Sequence, residues 1–126
     1  MKSIVLVALG GALGSVTRYK LSGLVLHHTI EWRFPLPTFS VNVIGCLIIG
    51  ILAGLAVKDD FLSADTRLFL FTGVLGGFTT FSAFGIETFY LLRKGEIWIA
   101  GSYVILSVSV GLLALLLGFS AVPHRG

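Results

Sequence analysis

The run LPTFSVNVIGCLIIGILAGLAV, residues 36–57, contains no charged side chain. A helix needs about 20 predominantly apolar residues to cross the hydrocarbon core of a bilayer. This run has that length and follows directly on the Pro35 and Pro37 punctuation. It reads as a transmembrane helix. The same pattern recurs on both sides of it. Upstream, Ser3 to about Leu26 is free of charge as far as Thr17, with Arg18 and Lys20 late in the span. Downstream, about Leu68 to Leu92 holds one acid, Glu87, and Ile97 to Val122 holds no charge. The connections at 27–35, 58–67 and 93–96 are short. The predicted architecture is an all-α integral membrane protein, one domain over residues 1–126, with four transmembrane helices at about 3–26, 36–57, 68–92 and 97–122.

Composition points the same way. The 126 residues are 56% hydrophobic and 12% charged, with a mean hydropathy of +0.99. A soluble domain keeps about a quarter of its residues charged to cover its surface; half that share means a surface that faces lipid. Met1-Lys2 before an apolar run has the outline of a signal peptide. No small-x-small cleavage site follows, however, and apolar sequence continues past Arg18, so the first span is expected to be retained. The basic residues are scattered, so no stripe marks a nucleic-acid partner. Cys46, the single cysteine, excludes an internal disulfide. Enzyme chemistry has no foothold: there are no paired carboxylates, no nucleophile–base set and no phosphate loop. His27 and His28 are adjacent, a spacing that does not aim both rings at one ion.

Lys and Arg beside the spans normally mark the cytoplasmic side. Lys2, Lys58, Arg67 and Arg125 fall on the N-terminal side; Arg33, Arg93 and Lys94, with Lys20 near the boundary, fall on the other. Such a balance gives no orientation, which makes dual topology and an antiparallel homodimer the natural assembly. Four spans alone are also too few to enclose a pathway without a partner subunit.

Glycine is abundant, 16 residues, and much of it lies within the spans. Gly10 and Gly14, Gly50 and Gly54, and Gly73 and Gly77 each form a small-xxx-small face on which helix backbones approach closely. Ordinary packing within one subunit accounts for such faces. The segment Gly76-Gly77-Phe78-Thr79-Thr80-Phe81-Ser82-Ala83-Phe84 is less ordinary. Paired glycines and two β-branched threonines make a poor helix in mid-span. Two readings fit: a kink relieved by threonine back-bonding, or a true break presenting carbonyls to a cation or a helix N-terminus to an anion.

Further residues read two ways. Phe81 and Phe84 share a helical face, either as packing or as ring edges, whose positive rim can hold an anion without a deep electrostatic trap. Asn42, about two turns into the second span, either bonds a neighbouring helix or offers a neutral donor to an anion that must also leave. Arg18 either stabilises anions at a pore entrance or snorkels to the interface. Glu87, three residues past Phe84, either continues that face or pairs near a helix end. Tyr103 and Ser107, four apart, put two hydroxyls on one face.

Taken together, Gly10-Gly11-Ala12-Leu13-Gly14 with Arg18-Tyr19, then Thr38, Val41, Asn42 and Gly45, then Gly73 and Gly76 to Phe84, resemble the Fluc (CrcB-type) fluoride channels. The resemblance spans three helices in order, and the third motif is the specific one. It implies an antiparallel homodimer in the bacterial inner (plasma) membrane. Two fluoride pores would pass toxic fluoride out of the cell passively, with a structural sodium ion on the dimer axis. By the same resemblance Asn42, Phe81 and Phe84 line the pore, and Thr38, Ser82, Glu87, Tyr103 and Ser107 form a polar track. The carbonyls of Gly76 and Thr79 hold the sodium. Gly111 departs from the pattern, standing where some relatives carry another hydroxyl.

Two other readings compete. A small proton-coupled multidrug or cation exporter shares the size, the balanced charges and the antiparallel pairing. It requires a titratable carboxylate deep in the membrane, commonly in the first helix, where this chain has Arg18 and no acid. A non-transporting scaffold subunit explains the glycine faces but not the break with its Phe pair.

Overall fold

The computed structural model describes residues 1–59 and 63–123; Arg125, counted above among the flanking charges, lies outside them. The described residues are all helical or loop, with no strand, and four stretches are long and apolar enough to cross a membrane. Helix α1 is Lys2–Thr29 and α2 is Leu36–Asp59. The third span, Ala64–Arg93, is two helices: α3 over residues 64–78 and α4 over Phe81–Arg93. Helix α5 is Ile97–Ala121.

The helices run somewhat beyond the expected limits. Helix α1 continues three residues past Leu26, because Thr29 Oγ1 donates to the Val25 carbonyl at 2.8 Å and ties in the last turn. Helix α3 starts at Ala64 rather than near Leu68. Ser63 is its N-cap, accepting from the Thr66 amide at 3.2 Å, and a capped start tolerates Asp65 in its first turn. One feature had no sequence signal: Leu68–Leu75 is wound as a π-helix, whose hydrogen bonds span five residues rather than the four of an α-helix.

Two seams hold the spans together, and glycine makes both. Across α1 and α3, a Cβ added to Gly10 would lie 2.7 Å from the Phe69 carbonyl, and one on Gly77 would lie 2.6 Å from that of Gly11. Gly14 is closer still, against the Val74 carbonyl. Across α2 and α5, Gly50 lies on the Leu115 carbonyl and Gly118 on that of Leu47. The small-residue faces at Gly10, Gly14, Gly73 and Gly77 are therefore each other's partners within one chain. Direct backbone contact replaces the hydrophobic drive that lipid cannot supply.

The buried core is small, as befits a chain whose outer surface meets lipid. Val41, Leu75 and Phe78 form one cluster; Leu91, Ala100 and Tyr103 form the other. Surface ion pairs close each end. Lys2 meets Asp65 at 2.7 Å, and Arg33 meets Glu96 at 3.3 Å, so the starts of α1 and α3 share one side and the starts of α2 and α5 the other.

Candidate ion pathway

The interruption of the third span falls at Thr79 and Thr80, both extended, with ψ of 157° and 117°. Of the two glycines and two threonines expected to weaken the helix, the glycines stay helical as its last turn. Gly77 is there for closeness to α1, and the two threonines leave the helix. Their exit is determined by hydrogen bonding. The Thr79 amide and Oγ1 both donate to the Leu75 carbonyl, at 3.0 and 2.9 Å, and end α3. Thr80 Oγ1 accepts from the Ala83 amide at 3.2 Å and starts α4 as an N-cap.

At membrane depth every backbone polar group needs a partner, and two distant side chains supply them. Asn42 of α2 bonds both sides of Thr80: its Nδ2 donates to the Thr80 carbonyl at 3.0 Å and its Oδ1 accepts from the Thr80 amide at 2.9 Å. Arg18 of α1 donates from Nε to the Gly77 carbonyl at 3.1 Å. The guanidinium thus turns inward to the C-terminal end of α3, where the helix dipole favours a cation. After these contacts the carbonyls of Gly76 and Thr79 accept no hydrogen bond among the described residues. Both line a cavity of about 360 Å³ together with Asn42, Cys46, Thr80 and Phe81. Gly76 is exposed, and a Cβ there would come no nearer than 3.7 Å to the Phe71 carbonyl.

The remaining expected residues form a second group. Glu87 accepts from Thr38 Oγ1 and from the Tyr103 hydroxyl, each at 2.8 Å, so α2, α4 and α5 meet on one carboxylate. Phe84 stacks against Tyr103 at 5.0 Å between centroids and stands 5.8 Å from Phe81. A chain of groups therefore runs from Phe81 through Phe84 and Tyr103 to Glu87 and Thr38. Phe81 is 83% exposed within one chain. Ser82 lies apart, with its hydroxyl 3.4 Å from that of Thr80. Ser107 Oγ is buried one turn beyond Tyr103 and has no hydrogen-bond partner.

Sequence reasoning missed the double use of Asn42 and the reach of Arg18. Their signal was available in principle, since a break in mid-span demands donors and acceptors from elsewhere, and these are the polar residues facing it from α1 and α2.

A discontinuous span whose loose ends are bonded by two other helices, beside an open cavity, defines a small multi-pass membrane protein of the transport type, where irregular backbone survives against protein or a cavity. The chain belongs to the family described as CrcB-like protein, Camphor Resistance (CrcB), which matches residues 5–119. It is 61% identical over 122 residues to a protein of Methylobacillus flagellatus named fluoride-specific ion channel FluC, covering 97% of this chain and 95% of that one. Proteins with the same name from Flavobacterium psychrophilum and Azobacteroides pseudotrichonymphae are 47% and 41% identical; the first alignment covers 90% of this chain and 91% of the relative, the second 94% of each.

Proposed function

We propose that this chain is a fluoride-selective channel that lets fluoride leave the cell passively across the plasma membrane, working as an antiparallel homodimer with two pores. One observation carries the reading. The relatives named for fluoride conduction match nearly the whole chain, and the span their likeness covers has a break edged by an amide with a donor to spare. The Asn42 amide carries two N–H groups. One is taken by Thr80, and the other has no partner among the described residues.

Fluoride is small and strongly hydrated, so a selective path must replace water with close donors. Asn42, the Thr and Ser hydroxyls and the positive edges of Phe81 and Phe84 are such donors. None is a fixed cation, which favours an anion that must also depart. A second copy, the partner the balanced flanking charges allow, would cover exposed Phe81 and the open side of the 360 Å³ cavity. The Gly76 and Thr79 carbonyls have the chemistry to hold a structural sodium ion with the same pair from a partner copy. Such an ion, when bound, offsets the field of two nearby anion paths. In this reading the chain is a conduit and makes or breaks no covalent bond. The exporter alternative has no support: α1 carries no acid, and Glu87 is held by two hydroxyls.

The test is reconstitution. Purified protein in liposomes is expected to release fluoride down its gradient, read with a fluoride electrode, without an imposed proton gradient. Efflux no faster than from protein-free liposomes, or transport of organic cations driven by protons instead, overturns the proposal. Dual topology is tested with a Lys2→Cys variant in a Cys46→Ser background: a membrane-impermeant thiol reagent should label it from both sides, and labelling from one side alone removes the antiparallel pair.

A further inference from the structure

The turn Arg93-Lys94-Gly95-Glu96 joins α4 to α5 at the end of the bundle opposite Lys2 and Asp65. Gly95 takes a φ of +79°, which glycine adopts at no steric cost. Its amide then donates to the Leu92 carbonyl at 3.0 Å and the Glu96 amide to that of Leu91 at 2.9 Å, so the backbone closes α4 by itself. Arg93 and Lys94 are not needed as caps. Both are exposed, and neither meets an acid among the described residues; Glu96, the acid of the turn, is engaged by Arg33. About one helical turn to either side stand two aromatic rings, Tyr90 at 55% exposure and Trp98 at 88%. The Arg33–Glu96 pair brings in the neighbouring connection, where Trp32 is also exposed. Both tryptophans of the chain thus lie at this end. The opposite end, residues 1–10, 50–72 and 112–126, contains neither Trp nor Tyr.

An indole or a phenol joins an apolar body to a hydrogen-bonding tip, and such rings are enriched where hydrocarbon gives way to headgroups. A guanidinium and an ammonium beside them complement a lipid phosphate in charge. We propose that the tip of the α4–α5 hairpin is a lipid-binding surface. Arg93 and Lys94 hold the phosphate of an anionic phospholipid, and Tyr90 and Trp98 lie along its glycerol–carbonyl region. A second copy does not suit the tip, because the break and cavity through which the chain is proposed to pair lie about 20 Å away, the length of the 13 residues of α4. Neither cation lines the ion pathway described above, so the inference stands whether or not the chain conducts fluoride. In an antiparallel pair each leaflet would receive one tip, and a belt at one end of the chain would serve both faces of the membrane.

Trp32→Phe leaves Trp98 as the single indole of the full chain. This protein is reconstituted in vesicles of equal parts phosphatidylcholine and phosphatidylglycerol at about 0.15 M ionic strength. One lipid or the other carries bromine, which quenches indole fluorescence on contact, on its acyl chains. Bromine near the acyl carbonyl should quench more than bromine near the chain end, and brominated phosphatidylglycerol should compete about fivefold better than brominated phosphatidylcholine. Arg93→Gln with Lys94→Gln should bring the two lipids to parity, while Lys58→Gln, at the other end, should keep the preference. Each variant is checked by size-exclusion elution; if the double variant fails to elute, each single variant is expected to lower the preference. Replacing chloride by inorganic phosphate at constant ionic strength should change nothing, and loss of the preference then means an anion site without lipid, which overturns the proposal. Equal quenching by the two lipids, a preference that survives the glutamine variants or is lost with Lys58→Gln, and quenching strongest at the chain ends each overturn it as well. Trp98 unquenched by either lipid, as water or a covering protein would leave it, does the same.

Discussion

The α1–α3 seam and the break between α3 and α4 adjoin along the chain and are built from opposite materials. In the seam, Gly10, Gly14 and Gly77 bring two backbones into contact with no side chain between them. In the break, the backbone diverges and polar side chains from distant helices fill its needs, Asn42 on Thr80 and Arg18 on Gly77. Gly76 and Gly77 are neighbours that belong to different regions. Gly77 is required by α1, whereas Gly76 faces the cavity with room to spare inside one chain. The lesson is that a glycine run in a membrane helix cannot be assigned as a unit; what each backbone atom meets decides its role.

Substitutions can separate the two regions, beginning with the seam. Gly14→Val should abolish folding, since its Cβ would press on the Val74 carbonyl and lie 2.8 Å from the Phe78 amide. Backbone cannot yield as a flexible side chain does, and overpacking of this kind costs about 1–3 kcal/mol or more. The expected readout is loss of the size-exclusion peak.

Asn42→Leu keeps the volume but strands the Thr80 amide and carbonyl in a water-poor site. Leaving buried backbone groups unpaired costs about 1–3 kcal/mol each, so the thermal midpoint should drop and fluoride efflux should fall to the protein-free rate. Efflux at the unaltered rate would mean the break needs no such support.

Gly76→Val should fold as a single chain, because its Cβ has space, yet lose transport under the proposal that a second copy and a sodium ion meet this residue. A variant with full efflux and unchanged elution would remove Gly76 from the proposed dimer interface.

Phe81→Ile and Phe84→Ile fill the volume without a positive ring edge. Both should elute where the unaltered protein does and conduct fluoride at least tenfold more slowly, roughly 1.4 kcal/mol in barrier. Phe84→Ile should also lower stability, as its ring packs on Tyr103. The smallest effect is expected at Gly101, where an added Cβ meets nothing within 4 Å. Gly101→Ala should raise stability by about 0.4–1 kcal/mol through a less flexible unfolded chain, with efflux unaltered.

The spans were legible because charge-free runs of membrane length have few other uses, and 36–57 alone set the class. Helix ends were less so. Ser63 and Thr29 move them by side-chain bonds to the backbone, which apolar patterning does not register. At the site, the Phe pair, Glu87 and Tyr103 could be grouped by spacing along their own helices. The Thr38–Glu87–Tyr103 junction could not, since it joins three helices whose relative rotation follows from the glycine seams. A kink or a break was expected over the glycines and threonines together; it is a break, and the threonines leave the helix. Poor helix propensity marks where a helix can end, and hydrogen-bond partners decide where it does.

The π-wound segment at Leu68–Leu75 bears on how this gene tolerates insertions and deletions. A stretch wound with surplus residues can lose one at its start, at Leu68, ahead of the seam contacts that Phe69, Gly73 and Val74 make with α1, and tighten into the commoner helix. The phase change would rotate the first turn at Ala64–Arg67 and release the surface pairing of Lys2 with Asp65. Residues 76–80 have no such slack, because Gly77 and Thr80 are each bonded to a fixed residue on another helix. Length variation among relatives is therefore expected ahead of Phe69 and not across the seam or the break.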